Sequence, residues 1–475
     1  MSTILINDLM EKENKIFWNE EGKVATISHS KLIGFLNDEG FSKAKIDETN
    51  SILVKQVNNR IVRSSEESIK TVLQQHLIKH ANDEVLETFT KGVGSYVSKG
   101  KLDLLNQTEL IDDRDAKNSS NFFFKNLFCN VSGKGIQTLD YSELKFVIWE
   151  NKVIKRNFNM PSGDIIGDFE IFCKNISFND DERFLALKTM LGYLLHRNKD
   201  VGESKAIILY DEKMGLNKQA HGGTGKTLLS QALKECRELE IFDGKNMKET
   251  SFFKNQRLSH TTDLMAYDDL NPTVSFESFF TMINAGIEVE KKGKQAFFIE
   301  QDKAPKILIS SNYIVKGPGG PSDSRRRHEF EIANFYNEES TPEMEFGCRF
   351  FNKDWAEEQW NKFYFFMMTC VVDYFNHGLI EAEPINLRKN RMIERSCPEF
   401  IEFAKGHISF NKWINKRGHI AVFQSLYPHI EGLSSHTFTK WLKDYAVNQE
   451  CEYADKSSGG DYLFILNKKE DANGN

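Results

Sequence analysis

One stretch restricts the fold more than any other: an apolar run, a glycine-rich turn and a helix-forming segment in that order between residues 206 and 239. Ala206-Ile207-Ile208-Leu209-Tyr210 has the length and apolarity of a buried strand. Ala220-His221-Gly222-Gly223-Thr224-Gly225-Lys226-Thr227 follows, and Leu228 to Leu239 reads as a helix. Strand, glycine-rich loop, Lys-Thr and helix is the order of a phosphate-binding loop, whose backbone N–H groups close around a β-phosphate at a helix N-terminus. The nucleotide-binding set is then Ala220, Gly222, Gly223, Thr224, Gly225, Lys226, Thr227 and Leu228. Lys226 reaches the β- and γ-phosphates of ATP, and the Thr227 hydroxyl binds Mg²⁺. Ala220 stands where such loops carry their first glycine, and about ten residues separate the strand from the loop. An isolated octapeptide of this kind can be a plain surface turn; the flanking strand and helix favour the nucleotide reading.

Phosphoryl transfer also needs carboxylates near the metal and a way to place the attacking water. Asp263 to Tyr267 is a second apolar strand running into Asp268-Asp269, about forty residues beyond the Lys-Thr pair. Asp268 is expected to hold the Mg²⁺ hydration shell and Asp269 to polarise the water. Alone, an Asp-Asp pair at a strand end is more often a turn or a helix cap. Pro305 to Ser311 is a third strand, ending at Asn312, whose amide can orient the lytic water. Arg325-Arg326-Arg327 then precede a strand at Phe330 to Ile332. They read as an arginine finger reaching a neighbouring subunit, Arg326 or Arg327 ahead of Arg325, or as a generic basic patch.

Length and composition frame these motifs. At 475 residues the chain exceeds the roughly 250–300 residues of one core, so two to four domains are expected. It is 40% hydrophobic and 28% charged, as soluble globular proteins are. No run reaches the ~20 apolar residues of a membrane span, so no membrane partner is expected. Met1 to Lys15 carries acidic residues where a secretory leader is basic, and seven scattered cysteines without a CxxC pair suit a reducing cytoplasm. The net charge of −7 means that any nucleic-acid contact must come from local basic patches.

The remaining elements are read from spacing and caps. Ser30 to Gly40 and Glu66 to His80 are expected helices, Phe122 to Phe158 is β-rich, and Phe184 to His196 is a helix behind the cap Asp180. A long helix runs from Asp354 to His377 and stops at Gly378. His76 and His80 share a helix face without a third ligand, which suits ordinary surface histidines better than a metal site.

Taken in order, these motifs resemble those of superfamily 3 helicases, a branch of the AAA+ ATPases found in viruses, phages and mobile elements, most nearly the phage and viral primase-helicases. The family also has a lysine-bearing hairpin, and Ile287 to Glu290 and Gln295 to Ile299 flank Lys291-Lys292-Gly293-Lys294 here. The resemblance implies an α/β ATPase core with a mostly parallel sheet between helices, and a ring, most simply a homo-hexamer. Lys291, Lys292 and Lys294 would touch the DNA backbone in its channel. Single-stranded or forked DNA and other replication proteins are the implied partners, and the cytoplasm the implied place. Upstream, no clustered carboxylate pair of the primase kind is present. The expected layout is an α+β region over 1–165, the ATPase over 166–345, a helical lid over 346–400 and a C-terminal unit over 401–475. That last unit reads as three helices and a hairpin, the outline of a winged helix, with Thr437, Lys440 and Lys443 of the third helix facing DNA or a protein partner. Two other functions fit the same motifs: a helicase loader or origin-remodelling ATPase, and a DNA-binding regulator with a nucleotide switch.

Overall fold

The computed structural model describes residues 16–20, 24–46, 50–214, 224–247, 255–293 and 295–468, and it divides into two compact units, 1–159 and 160–475. Expectations placed on Ala220, Gly222, Gly223 and Lys294 lie outside the described residues.

In the first unit, short amphipathic helices cover small sheets. Helix His29–Asp38 is capped by Ser28 and buries Leu32, Ile33, Phe35 and Leu36. Helix Glu66–His80 opens with a reciprocal capping box between Ser65 and Ser68 and buries Ile69, Leu73 and Leu77. His76, four residues before His80, packs its ring 4.5 Å from that of Phe35. One sheet has five strands, in the order Ile148–Trp149, Arg60–Arg63, Ser51–Val57, Phe41–Lys45 and Gln107–Glu109. Another has four, in the order Val153–Ile154, Ser119–Phe124, Phe128–Ser132 and Gly135–Leu139, so the aromatic segment is β-rich, and Trp18–Asn19 pairs with Thr26–Ile27 in a third.

The second unit is built on a five-stranded, fully parallel sheet set among helices. Its strands are β1 (Ala206–Asp211), β2 (Leu239–Asp243), β3 (Leu264–Asp268), β4 (Lys306–Ser311) and β5 (Arg327–Ile332), in the order β2-β3-β4-β1-β5. Every residue of β1 and β4 is buried, as expected of central strands covered on both faces. Helix α1 (Asp181–Leu195) starts at Asp180, whose carboxylate accepts the Arg183 N–H, and α3 (Glu357–His377) packs along it with a 2.6 Å Lys188–Asp373 ion pair. Helix α2 (Lys226–Cys236) follows β1 in the chain. It ends before Leu239, which instead begins β2; a short apolar run fits a helix end or a strand start equally well. Strand β5 begins at Arg327, earlier than its apolar run, because Arg327 to Glu329 pair with Ala206 to Ile208.

Residues 387–468 gather around their own core of Phe400, Phe403, Phe423, Phe438, Leu442 and Phe464. Helices Pro398–His407, Lys416–Leu426 and Ser435–Asn448 join a three-stranded antiparallel sheet in which Asp461–Lys468 lies between Ile414–Asn415 and Cys451–Ser458. Helix Leu387–Arg395 ties this part to the parallel sheet through an Arg391–Glu329 ion pair. Among the described residues no helix is long and apolar enough to cross a membrane.

Candidate nucleotide site

In a parallel sheet every strand delivers its carboxyl end to the same edge, and ligands of such sheets bind in the crevice there. At this edge β1 ends in Asp211, β3 in Asp268, and β4 in Ser311 followed by Asn312. Strand β1 lies between β4 and β5, so the chain leaves it for the far side of the sheet and later returns on both sides of it. The first turn of α2 meets this edge.

Gly225 makes that meeting possible. Its φ of +112° lies where side chains are rarely tolerated, and a Cβ there would sit 2.6 Å from the Phe172 ring. The turn at Gly225 delivers Lys226, whose side chain is 11% exposed, between two strand ends. The Lys226 ammonium forms an ion pair with Asp211 and donates to Asn312 Oδ1 at 2.7 Å. The other oxygen of Asp211 accepts the Thr224 hydroxyl. Thr227 stands exposed one residue further on.

The carboxylates are joined by a second chain of bonds. Ser310 Oγ donates to Asp268 Oδ1 at 2.7 Å and accepts the Asp269 N–H at 2.8 Å. Asp269 adopts a left-handed φ of +57°, which Asp tolerates better than most residues and which turns its side chain back toward β4. There Asn312 Nδ2 donates to Asp269 Oδ1 at 2.7 Å, and Lys245 pairs with Asp269 Oδ2 at 2.6 Å. That hydrogen bond holds the exposed Lys245 ammonium above the usual lysine range. Lys245 follows Gly244, where a Cβ would lie 2.7 Å from the Asp268 carbonyl, so glycine permits the close approach of the strand ends. Lys226, Asn312, Asp269, Ser310 and Asp268 thus form one connected polar cluster.

Asp211, Lys245 and Ser310 were not among the residues read from the sequence. Asp211 ends an apolar strand as Asp268 does, and that shared position is the one signal it carries.

The three arginines differ in how they are held. Arg327 is enclosed by Asp323 at 2.6 Å, Glu329 at 3.1 Å and the Phe276 ring at 4.5 Å. Arg326 donates to the Ser322 hydroxyl at 2.6 Å and lies 4.6 Å over Phe280. Arg325 is exposed, and its side chain bonds to no described residue. In the hairpin, Ile287, Val289 and Ile299 are buried, while the tip carries Lys291 and the exposed Lys292. Thr437, Lys440 and Lys443 lie along helix Ser435–Asn448, the two lysines exposed.

No family model matches this chain, and no curated protein does. Two solved structures of the NrS-1 C-terminal region, one of them residues 305–718, both apo A forms, align with 92% of this chain and 98% of theirs at 12% identity and a TM-score of 0.42. A likeness of that strength identifies no family and carries no argument about the site.

Proposed function

We propose that this chain is an ATP-driven nucleic-acid motor, a ring-forming DNA helicase of the superfamily 3 type within the AAA+ ATPases. The observation that supports it best is the convergence of Lys226, Asp268, Asp269 and Asn312 at one edge of a parallel sheet, beside the N-terminus of α2. A lysine at a helix N-terminus faces the positive end of the dipole and needs anionic company; a triphosphate supplies it.

Lys226 would exchange Asp211 and Asn312 for the β- and γ-phosphates. The exposed Thr227 hydroxyl and the Asp268 carboxylate, fixed by Ser310, are hard oxygen donors that fit Mg²⁺, which supplies charge neutralisation between the phosphates. Asp269 and Asn312, bonded to each other, hold a fixed acceptor and amide on which the attacking water is oriented. Of the three arginines Arg325 is the one free to reach a neighbouring subunit, whereas Arg327 would have to leave two carboxylates. The C-terminal helices and hairpin are read as a winged helix, and the hairpin lysines as channel contacts with phosphate.

The test compares ATP hydrolysis, with and without single-stranded DNA, and forked-duplex unwinding. The Lys291, Lys292 and Lys294 triple alanine variant is expected to keep basal hydrolysis and to lose both stimulation and unwinding. Normal unwinding by that variant would sink the channel reading. Stimulated hydrolysis by the wild type without unwinding would favour a loader.

A further inference from the structure

The hairpin of Cys451–Ser458 and Asp461–Lys468 has one outer residue that its core does not explain. Phe464 and Leu466 point into the C-terminal core, whereas Tyr462, two residues nearer the tip, is 48% exposed. Leu463 pairs with Asn415 in the sheet, so the next step of the register sets Lys416 beside Tyr462. Two cations consequently share this ring: Lys416 Nζ lies 5.5 Å and the Arg417 guanidinium carbon 5.2 Å from its centroid. Lys416 is held in place by donating to Thr439 Oγ1 at 3.0 Å, on helix Ser435–Asn448. Lys443 of the same helix lies 5.3 Å over Tyr453, so the surface between helix and hairpin is basic and aromatic together. The nearby carboxylates are Asp455, which accepts the Tyr453 hydroxyl at 2.9 Å, and Asp461 at the turn. Beyond the ring the hairpin turns through Gly459 and Gly460, at φ +61° and +87°, where an added Cβ would meet nothing.

We propose that Tyr462 is a stacking platform for an unpaired base of single-stranded nucleic acid, with the exposed Arg417 and Lys443 taking the flanking phosphates and the buried Lys416 fixing the ring. An aromatic face beside cations is how proteins bind single strands without reading sequence, because every unpaired base offers a π-face and every link a phosphate. A duplex hides its base faces and is read by polar side chains at base edges instead. The site therefore discriminates strand state, not sequence, and adds to the third helix a contact that engages DNA or RNA only where it is open. The choice of nucleic acid as ligand rests on the proposed motor function; the placement of the site does not.

The experiment uses the full chain without nucleotide. Anisotropy of a labelled oligothymidylate and of a blunt duplex of equal length is measured for wild type, Tyr462→Ala, Tyr462→Leu, Tyr462→Phe and Arg417→Gln. Tyr462→Ala and Tyr462→Leu are expected to weaken single-strand binding by about fivefold or more, and Tyr462→Phe to retain it. Arg417→Gln should lower the salt slope of single-strand binding by about one. Duplex affinity, basal ATP hydrolysis and melting temperature should stay as in the wild type. Tyr462→Leu keeps an apolar side chain at the position, so it decides the matter if the alanine variant melts early. Wild-type single-strand affinity in the leucine variant, or an equal loss on duplex, overturns the proposal and leaves the motor reading standing. Failure of the wild type to bind any single strand would remove both.

Discussion

Lys226 places a positive charge at the N-terminus of α2, where the helix dipole disfavours it, and Asp211 and Asn312 hold it there. Asp211 is thus a built-in counter-ion, which a triphosphate would have to displace under the proposed function. Asp211→Asn is expected to lower the melting temperature of the nucleotide-free chain, since a nearly buried ammonium loses its charge partner. The same substitution should tighten ATP binding by roughly tenfold, about 1.4 kcal/mol, in a titration with magnesium. Weaker binding would show that Asp211 contributes to the ligand site itself. Gly225→Ala tests the turn beside it: a positive φ and the Phe172 ring should together cost at least about 1 kcal/mol in denaturant unfolding. Lys226, Asp268, Asp269 and Asn312 were legible in the sequence because each ends or follows an apolar run or a glycine-rich turn. Asp211, Ser310 and Lys245 were not, since only the parallel order of the strands brings them to the same edge, and no local pattern announces that order.

The elements themselves were the most legible part, because caps and periodicity are local. Asp180 begins α1, Gly378 ends α3, and Ser434 caps the helix that follows it. Strand ends were harder to read where charged residues join the ladder, as Arg327, His328 and Glu329 do in β5. His328 is 1% exposed, and among the described residues neither of its ring nitrogens has a partner. Burial, with a smaller contribution from Lys205, pushes its pKa down to about 4. The unfolded chain protonates this histidine near pH 6.5, so between about 6.5 and 4 the unfolded state binds the extra proton and stability falls on acidification. His328→Phe should remove roughly 2 kcal/mol of that loss, read from chemical denaturation at pH 7 and pH 4.5. An unchanged pH dependence would mean that the ring titrates normally where it lies.

At the scale of the molecule, Lys226 stands beside the carboxyl ends of the strands, whereas the uncommitted Arg325 precedes the start of β5, at the other edge of the parallel sheet. If Arg325 acts on a neighbour's nucleotide, Arg325→Ala and Lys226→Ala subunits, each inactive alone, should regain measurable hydrolysis when mixed, because some interfaces then pair an intact arginine with an intact loop. No recovery on mixing would place hydrolysis within one subunit. The α/β core with its parallel sheet was visible because alternating strands and helices favour that arrangement. The homo-hexamer came from the family resemblance alone, because the determinants of an assembly would be exposed side chains that follow no local pattern. Everything proposed about motion on nucleic acid depends on one claim, that the edge holding Lys226, Asp268 and Asn312 binds and hydrolyses ATP. Steady-state hydrolysis of magnesium-ATP by the wild type and by Lys226→Ala, with matched melting curves, tests it most directly. Turnover by the wild type is expected, with a loss of about a hundredfold or more in the variant, the scale of a phosphate-stabilising charge; hydrolysis by Lys226→Ala at the wild-type rate would overturn the nucleotide site.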